Sequence, residues 1–154
     1  MAEPIHVVCP HCDAINRMPQ ERLAAHGKCG RCGKALFDGR PVQVDAARFA
    51  THVERNDIPV LVDFCAPWCG PCRAMAPEFE KAAARLEPGI RLLKLDTDAA
   101  PEIAARMVIR SIPTLALFSG GREIARTAGA MNAESLVAWV RAQPGGQEAA
   151  AAVV

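Results

Sequence analysis

Residues 62–72 read Val62-Asp63-Phe64-Cys65-Ala66-Pro67-Trp68-Cys69-Gly70-Pro71-Cys72. The apolar run leading into them, Ile58 to Phe64, is nearly continuous, as a strand covered on both faces requires. From Pro71 to about Leu86 the chain reads as a helix, interrupted by Pro77, which is expected to kink it. Cys69 and Cys72 therefore lie where a buried strand ends and a helix begins. At a helix N-terminus the unsatisfied N–H groups and the positive end of the dipole favour a thiolate over a thiol. The thiolate is the nucleophile of disulfide exchange. Cys69 is expected at the exposed edge of the turn as the attacking thiol, and Cys72, one turn inward, as the shielded resolving thiol. A metal half-site or a pair of idle thiols is the plainer alternative.

Working outward, the pattern predicts an α/β domain. Val42 to Val44 reads as a short strand, and Asp45 is placed to N-cap a helix through about Arg55, with Phe49 and Val53 on one face. Ile90 to Leu95 is a second buried strand and Pro101 to Arg106 a short helix. Pro113 to Phe118 and Glu123 to Thr127 form strands around a Gly120-Gly121 hairpin turn. Asn132 opens a last helix with Leu136, Val137 and Val140 inward. The order βαβαβα then ββα gives a mixed five-stranded sheet with helices on both faces, its first units parallel and its hairpin antiparallel. The domains are expected at 1–40, 41–143 and 144–154, the last an Ala-rich flexible tail.

The chain has 154 residues, is 51% hydrophobic and carries a formal net charge of +1. That balance argues against a nucleic-acid binder working by bulk electrostatics. The N-terminus shows neither the basic nor the apolar region of a signal peptide, and no apolar run is long enough for a bilayer, so a soluble cytoplasmic monomer is expected. In a reducing compartment, seven cysteines point to metal binding or redox catalysis rather than a disulfide framework. Their spacing separates the two. Cys9-x2-Cys12 and Cys29-x2-Cys32, with sixteen residues between the pairs, have the spacing of a four-thiolate zinc site.

Gly30 and Gly33 suit a turn whose N–H groups reach the sulfurs. Residues 1–40 show little periodic hydrophobicity and cannot bury a core alone, so one structural Zn2+ would serve as their staple. Their six Lys/Arg and four Asp/Glu give a formal +2, which four thiolates around Zn2+ bring near neutral. His6, His11 and His26 are spare ligands that four cysteines make unnecessary. Cys9-Pro10-His11-Cys12 has the inner dipeptide of oxidising dithiol proteins, but no strand before it, no helix after it and no aromatic neighbour.

The Val62–Cys72 segment closely resembles the active-site segment of thioredoxins. Ser111-Ile112-Pro113-Thr114 is similar to their cis-proline loop, and Thr127-Ala128-Gly129-Ala130 to the glycine loop of their substrate groove. The resemblance covers about residues 40–143 and implies the thioredoxin fold. Residues 1–40 resemble the zinc-carrying N-terminal extension of the bacterial thioredoxin 2 subfamily. By this resemblance Asp63, a carboxylate inside an apolar strand, assists proton transfer as Cys72 resolves the mixed disulfide, and Lys94 tunes its charge. Burial should raise the pKa of Asp63 in any case; a carboxylate satisfied by backbone or Lys94 is the ordinary alternative.

Pro113 is expected cis, leaving the backbone of Ile112 free to pair with an extended substrate segment. Trp68, Gly70, Pro71, Ile112, Gly129 and Ala130 would form the docking rim. Three features depart from the usual thioredoxin pattern. Cys65 stands where tryptophan is usual, Arg106-Met107-Val108 lacks a tyrosine and a glycine, and Ser111 replaces another glycine. Cys65 is read as a small buried hydrophobe, with a regulatory thiol as the alternative.

The function expected is that of a protein-disulfide reductase working through Cys69 and Cys72, with no organic cofactor of its own. The resemblance implies re-reduction from NADPH by a flavin-containing thioredoxin reductase. The rival is a zinc-dependent redox sensor or redox-regulated holdase in which oxidation of the first four cysteines ejects metal.

Overall fold

The computed structural model describes residues 3–25 and 27–145. His26 and residues 146–154, most of the expected tail, lie outside the described residues. In chain order the elements are β1 (Ile5–Val8), β2 (Ile15–Met18), a 3-10 turn at Gln20–Arg22, β3 (Val42–Val44) and α1 (Ala46–Arg55). There follow β4 (Val60–Cys65), α2 (Gly70–Leu86), β5 (Arg91–Asp96), α3 (Pro101–Arg106), β6 (Thr114–Ser119), β7 (Arg122–Ala128) and α4 (Ala133–Ala142).

The main sheet has the order β3-β5-β4-β6-β7. Strands β3 and β4 run parallel to β5, while β6 is antiparallel to β4 and to β7. This is the mixed sheet that the element order predicts. One face packs Leu61, Leu92, Leu115 and Leu117 under α2 and α4. The other packs Val60, Val62, Phe64 and Phe118 under α1 and α3. Phe49 meets Phe64 and Phe118 edge-on with centroids 6.0 and 5.9 Å away, pairs worth about 0.5–1.5 kcal/mol beyond area burial.

Local chemistry sets the helix starts. The Asp45 carboxylate accepts from Arg48 N–H at 2.8 Å and the Asn132 side chain from Ser135 N–H at 2.8 Å, each satisfying a donor the first turn cannot. Pro77 lies inside α2, but the helix runs without interruption from Gly70 to Leu86. Pro77 is exposed, so the carbonyl it cannot serve is on the wet side. Val108 ends the turn after α3 with φ +54, where a β-branched residue is strained. Arg126 holds that turn by donating to the carbonyls of Met107 and Val108 at 2.6 and 3.1 Å.

No strand is read from sequence before residue 42, yet β1 and β2 pair antiparallel, with Ile5 opposite Met18 and Val8 opposite Ile15. The pattern hides because the apolar partners are borrowed. Val7 and Leu23 pack on Ile58 of the larger domain, whose burial belongs to this contact and not to β4. Polar links complete the junction. Val8 N–H donates to the Asn56 side chain at 2.7 Å, and His6 and Asp57 bond through backbone and side chain. Asp13, itself at φ +64, accepts two bonds from Arg48 at 2.9 and 3.1 Å and lies 3.0 Å from the buried His52 ring.

Arg91 is the most costly piece. Fully buried at the start of β5, it donates to the carbonyls of Val8 and Leu36 at 3.0 and 2.8 Å and to the Glu87 carboxylate at 3.2 Å, and it stacks 4.4 Å from the Phe37 ring centroid. Removing one member of such a buried pair leaves an uncompensated charge. Arg91→Leu should therefore lose about 3–5 kcal/mol of unfolding free energy. Urea denaturation checks this; a loss below about 1 kcal/mol, the range of an exposed pair, would show that the junction does not depend on it.

Candidate active site and candidate metal centre

Strand β4 ends at Cys65, the chain turns through Ala66, Pro67 and Trp68, and α2 begins at Gly70. Cys69 is the N-cap of that helix, and its sulfur accepts from Cys72 N–H at 3.3 Å. A helix-terminal N–H aimed at sulfur favours the thiolate. The same sulfur lies 3.8 Å from the Ile112 carbonyl. The expected contrast in exposure is not seen: Cys69 and Cys72 are each 5% exposed. What separates them is surroundings. Burial first, and then the neighbouring Cys69 sulfur, push Cys72 up to about 11, so it rests as a thiol.

The Ile112–Pro113 peptide is cis. The Pro113 carbonyl accepts from Gly129 N–H at 2.9 Å, which ties the loop after β7 to the turn before β6. Gly129 has φ +100, a conformation that favours glycine there. Ile112 packs on the cluster formed by Ala66, Cys69 and Cys72. Gly70, Pro71, Gly129 and Ala130 are exposed. Trp68, 66% exposed, is nonetheless pinned, for its indole N–H donates to Asp98 at 2.6 Å. Asp98 is absent from the sequence reading. It lies thirty residues along the chain, and only the β4–β5 pairing brings its loop beside Trp68.

Asp63 lies in β4, fully buried, and among the described residues neither carboxylate oxygen has a hydrogen-bond partner. Satisfaction by backbone or by Lys94 is thereby excluded. Lys94 is its register partner on β5 and acts on it through charge alone. Burial dominates and pushes Asp63 up to about 7, with Lys94 and then Cys65 pulling the other way. Cys65 is half-buried rather than fully enclosed, since it borders a cavity beside Cys72 and Lys94.

In the N-terminal part Cys9, Cys12, Cys29 and Cys32 bring their sulfurs within 4.8 Å of one another. Cys9 and Cys32 lie 3.7 Å apart, and Cys12 and Cys29 3.6 Å. A tetrahedral Zn2+ with Zn–S bonds of about 2.3 Å spaces its sulfurs about 3.8 Å apart, so the set fits. Each pair is built on the same turn. Asp13 N–H returns to the Cys9 carbonyl and Gly33 N–H to that of Cys29. His11 N–H points at the Cys9 sulfur, and Arg31 N–H and the Asn16 amide at that of Cys29. His6 and His11 face Asp57 and Asp38 instead of the sulfurs.

A dithiol at a strand–helix turn, facing a cis-proline and following a strand that carries a buried acid, defines a thiol–disulfide oxidoreductase. The comparisons agree. Residues 40–142 match the family model described as Thioredoxin, and residues 8–34 the one described as Thioredoxin 2, N-terminal. The chain is 41% identical to Thioredoxin C-3 of Corynebacterium nephridii, over 89% of this chain and 94% of that protein. It is 46% identical to Thioredoxin 1 of Nostoc sp., over 58% and 83%. The structure of a mutant thioredoxin from Halobacterium salinarum aligns with a TM-score of 0.62 at 28% identity, covering 68% of this chain and 91% of that one. The chain belongs to the thioredoxin family, a thioredoxin domain joined to the zinc-ribbon family of thioredoxin 2 N-termini.

The buried acid has a thermodynamic signature. Asp63 ionises near 7 when folded but near its ordinary 3.8 when unfolded. Between those values the unfolded chain has released a proton that the native state still holds, so stability falls as pH rises. Three units correspond to about 4 kcal/mol, present in full below about pH 4 and lost above about pH 7. Asp63→Asn lacks this loss. Its unfolding free energy relative to the parent should improve by about 4 kcal/mol between pH 4 and pH 8; a pH-independent difference would mean the carboxyl is not desolvated.

Proposed function

We propose that the protein reduces disulfides in other proteins, with Cys69 as nucleophile and Cys72 as resolving thiol. The observation that carries this is the Cys69 sulfur, capping α2 at 3.3 Å from Cys72 N–H and 3.8 Å from the Ile112 carbonyl. A target strand laid beside Ile112 would present its disulfide to that sulfur. Cys69 thiolate attacks one target sulfur, forming a mixed disulfide and releasing the other as thiolate. Asp63 takes the proton of Cys72, which attacks the Cys69 sulfur, frees the second target thiol and leaves Cys69 and Cys72 joined.

Trp68, Gly70, Pro71, Ile112, Gly129 and Ala130 are the docking rim in this reading, and Lys94 tunes Asp63. Two electrons from NADPH, delivered by a flavin-containing thioredoxin reductase, restore the dithiol. The protein acts as a monomer in the cytoplasm; among the described residues no helix is long and apolar enough to cross a membrane. One Zn2+ held by Cys9, Cys12, Cys29 and Cys32 would cross-link the two turns of the ribbon, a structural service outside the exchange chemistry. The sensor or holdase alternative is not favoured by relatives that are thioredoxins.

In an insulin reduction assay, Cys69→Ser should lower turnover at least about a hundredfold. Cys72→Ser should accumulate a target adduct visible without reductant. Turnover retained in Cys69→Ser would sink the assignment. Metal analysis should find one zinc per chain, with chelation lowering the melting temperature; a zinc-free protein of unchanged stability would refute the structural ion.

A further inference from the structure

The dithiol can be approached from two sides. Toward β6, the Cys69 sulfur lies 3.8 Å from the Ile112 carbonyl, where a target strand would lie. Toward β5 lies a cavity of about 310 Å3, bordered by Gln43, Cys65, Cys72, Arg73, Lys94 and Asp96. It reaches Cys72 but not Cys69. The small Cys65 side chain at the end of β4 leaves this space open, and the volume falls at the lower end of the range of ligand pockets, about 300–1,000 Å3. The wall carries charges of both signs with bonding capacity to spare. Arg73 donates from Nη1 to the Pro67 carbonyl at 3.3 Å and keeps its other N–H groups, and the Asp96 Oδ1 accepts from Asp98 N–H at 2.9 Å, leaving its second oxygen. Among the described residues the Lys94 ammonium has no hydrogen-bond or ion-pair partner; only its backbone carbonyl is used, by Gln43.

We propose that this cavity is a second substrate site, through which a small peptide thiol bearing carboxylates and an amine re-reduces the oxidised protein by attacking Cys72. Arg73 and Lys94 suit the carboxylates and Asp96 the ammonium. A thiolate that displaces Cys69 from Cys72 approaches from the side away from Cys69, and the cavity opens on Cys72 alone. The small thiolate bonds to the Cys72 sulfur as the Cys69–Cys72 bond breaks, and the electron pair leaves with Cys69. That direction is favoured, because the Cys69 sulfur accepts the Cys72 N–H at 3.3 Å and so makes the better leaving group. A second small thiolate then attacks the sulfur of the bound molecule. A small symmetric disulfide forms, and Cys72 is released and takes a proton. The protein gains two electrons and each small thiol loses one. Protein targets and the small thiol thus meet the dithiol at different sulfurs and from opposite sides.

The site rests on the reading of Cys69 and Cys72 as an exchanging dithiol, and its test tells the two apart. Oxidised full-length protein is mixed at pH 7 with glutathione or with the uncharged mercaptoethanol. Reduction is followed by tryptophan fluorescence, and acid-quenched samples are mapped by mass spectrometry. Glutathione should react about tenfold faster per thiolate than mercaptoethanol, as one or two charge-assisted contacts allow. The quenched adduct should sit on Cys72. Arg73→Ala, an exposed position on α2, should remove most of that advantage, and Cys65→Trp, which fills the cavity, should abolish it. Both variants should keep insulin reduction driven by dithiothreitol. Equal rates per thiolate, an adduct confined to Cys69, or an advantage that survives both variants would overturn the site while insulin turnover still upholds the dithiol. A parent protein that does not reduce insulin would overturn both.

Discussion

Strand β4 has a hydrogen-bonded neighbour on each edge and helices on each face. Nothing on it meets water until its C-terminal end. That one constraint arranges the chemistry. The chain must leave the sheet at Cys65, and the next helix must start over the sheet edge, so a helix N-terminus with free N–H groups stands at the point of exit. Cys69 takes the cap, and Cys72 follows one turn later, equally covered but with its N–H turned to the Cys69 sulfur. A dithiol whose two sulfurs are differently bonded follows from where the strand ends.

The same burial makes charge expensive, and the protein treats its two buried charges on β4 and β5 in opposite ways. Arg91 is supplied with two carbonyls, a carboxylate and an aromatic face, and it becomes the strut between the N-terminal ribbon and the sheet. Asp63 is supplied with none, and its proton affinity rises until it titrates near neutrality. Arg91 keeps only its Nε unpartnered and serves as a strut, whereas both oxygens of Asp63 are unpartnered and its proton affinity is raised. The ribbon and the sheet are joined by polar groups of which the buried ones, Arg91, Asn56 and His52, would lose partners apart, which explains how a small module with little core of its own can be held in one place.

Much of this was legible from local pattern. Apolar continuity marked β4 and β5 as central, Asp45 and Asn132 announced their helices, and the glycine pair at 120–121 announced the β6–β7 hairpin. The sixteen residues between the first two Cys-x2-Cys pairs pointed to the four-sulfur cluster, and the strand before and helix after the third pair set the dithiol apart. Less legible were β1 and β2, whose apolar faces are completed by Ile58 and Leu23 and so carry no period of their own. Asp98, which fixes Trp68, and Glu87 with Arg91 gave no signal, because a charged residue reads as a solvated surface until its partners are known.

By itself the sequence determined the order of elements, the cysteine spacings and the acid in an apolar strand, because these depend on near neighbours and on backbone periodicity. Only the tertiary structure decided that Asp63 has no partner, that Cys69 and Cys72 are equally covered but differently bonded, and that Cys65 borders a cavity. It also decided that Arg91 holds the ribbon to the sheet. Each of these turns on groups far apart in the chain meeting where water is excluded, and both the cost of a buried charge and the value of a donor exist only once that exclusion is in place.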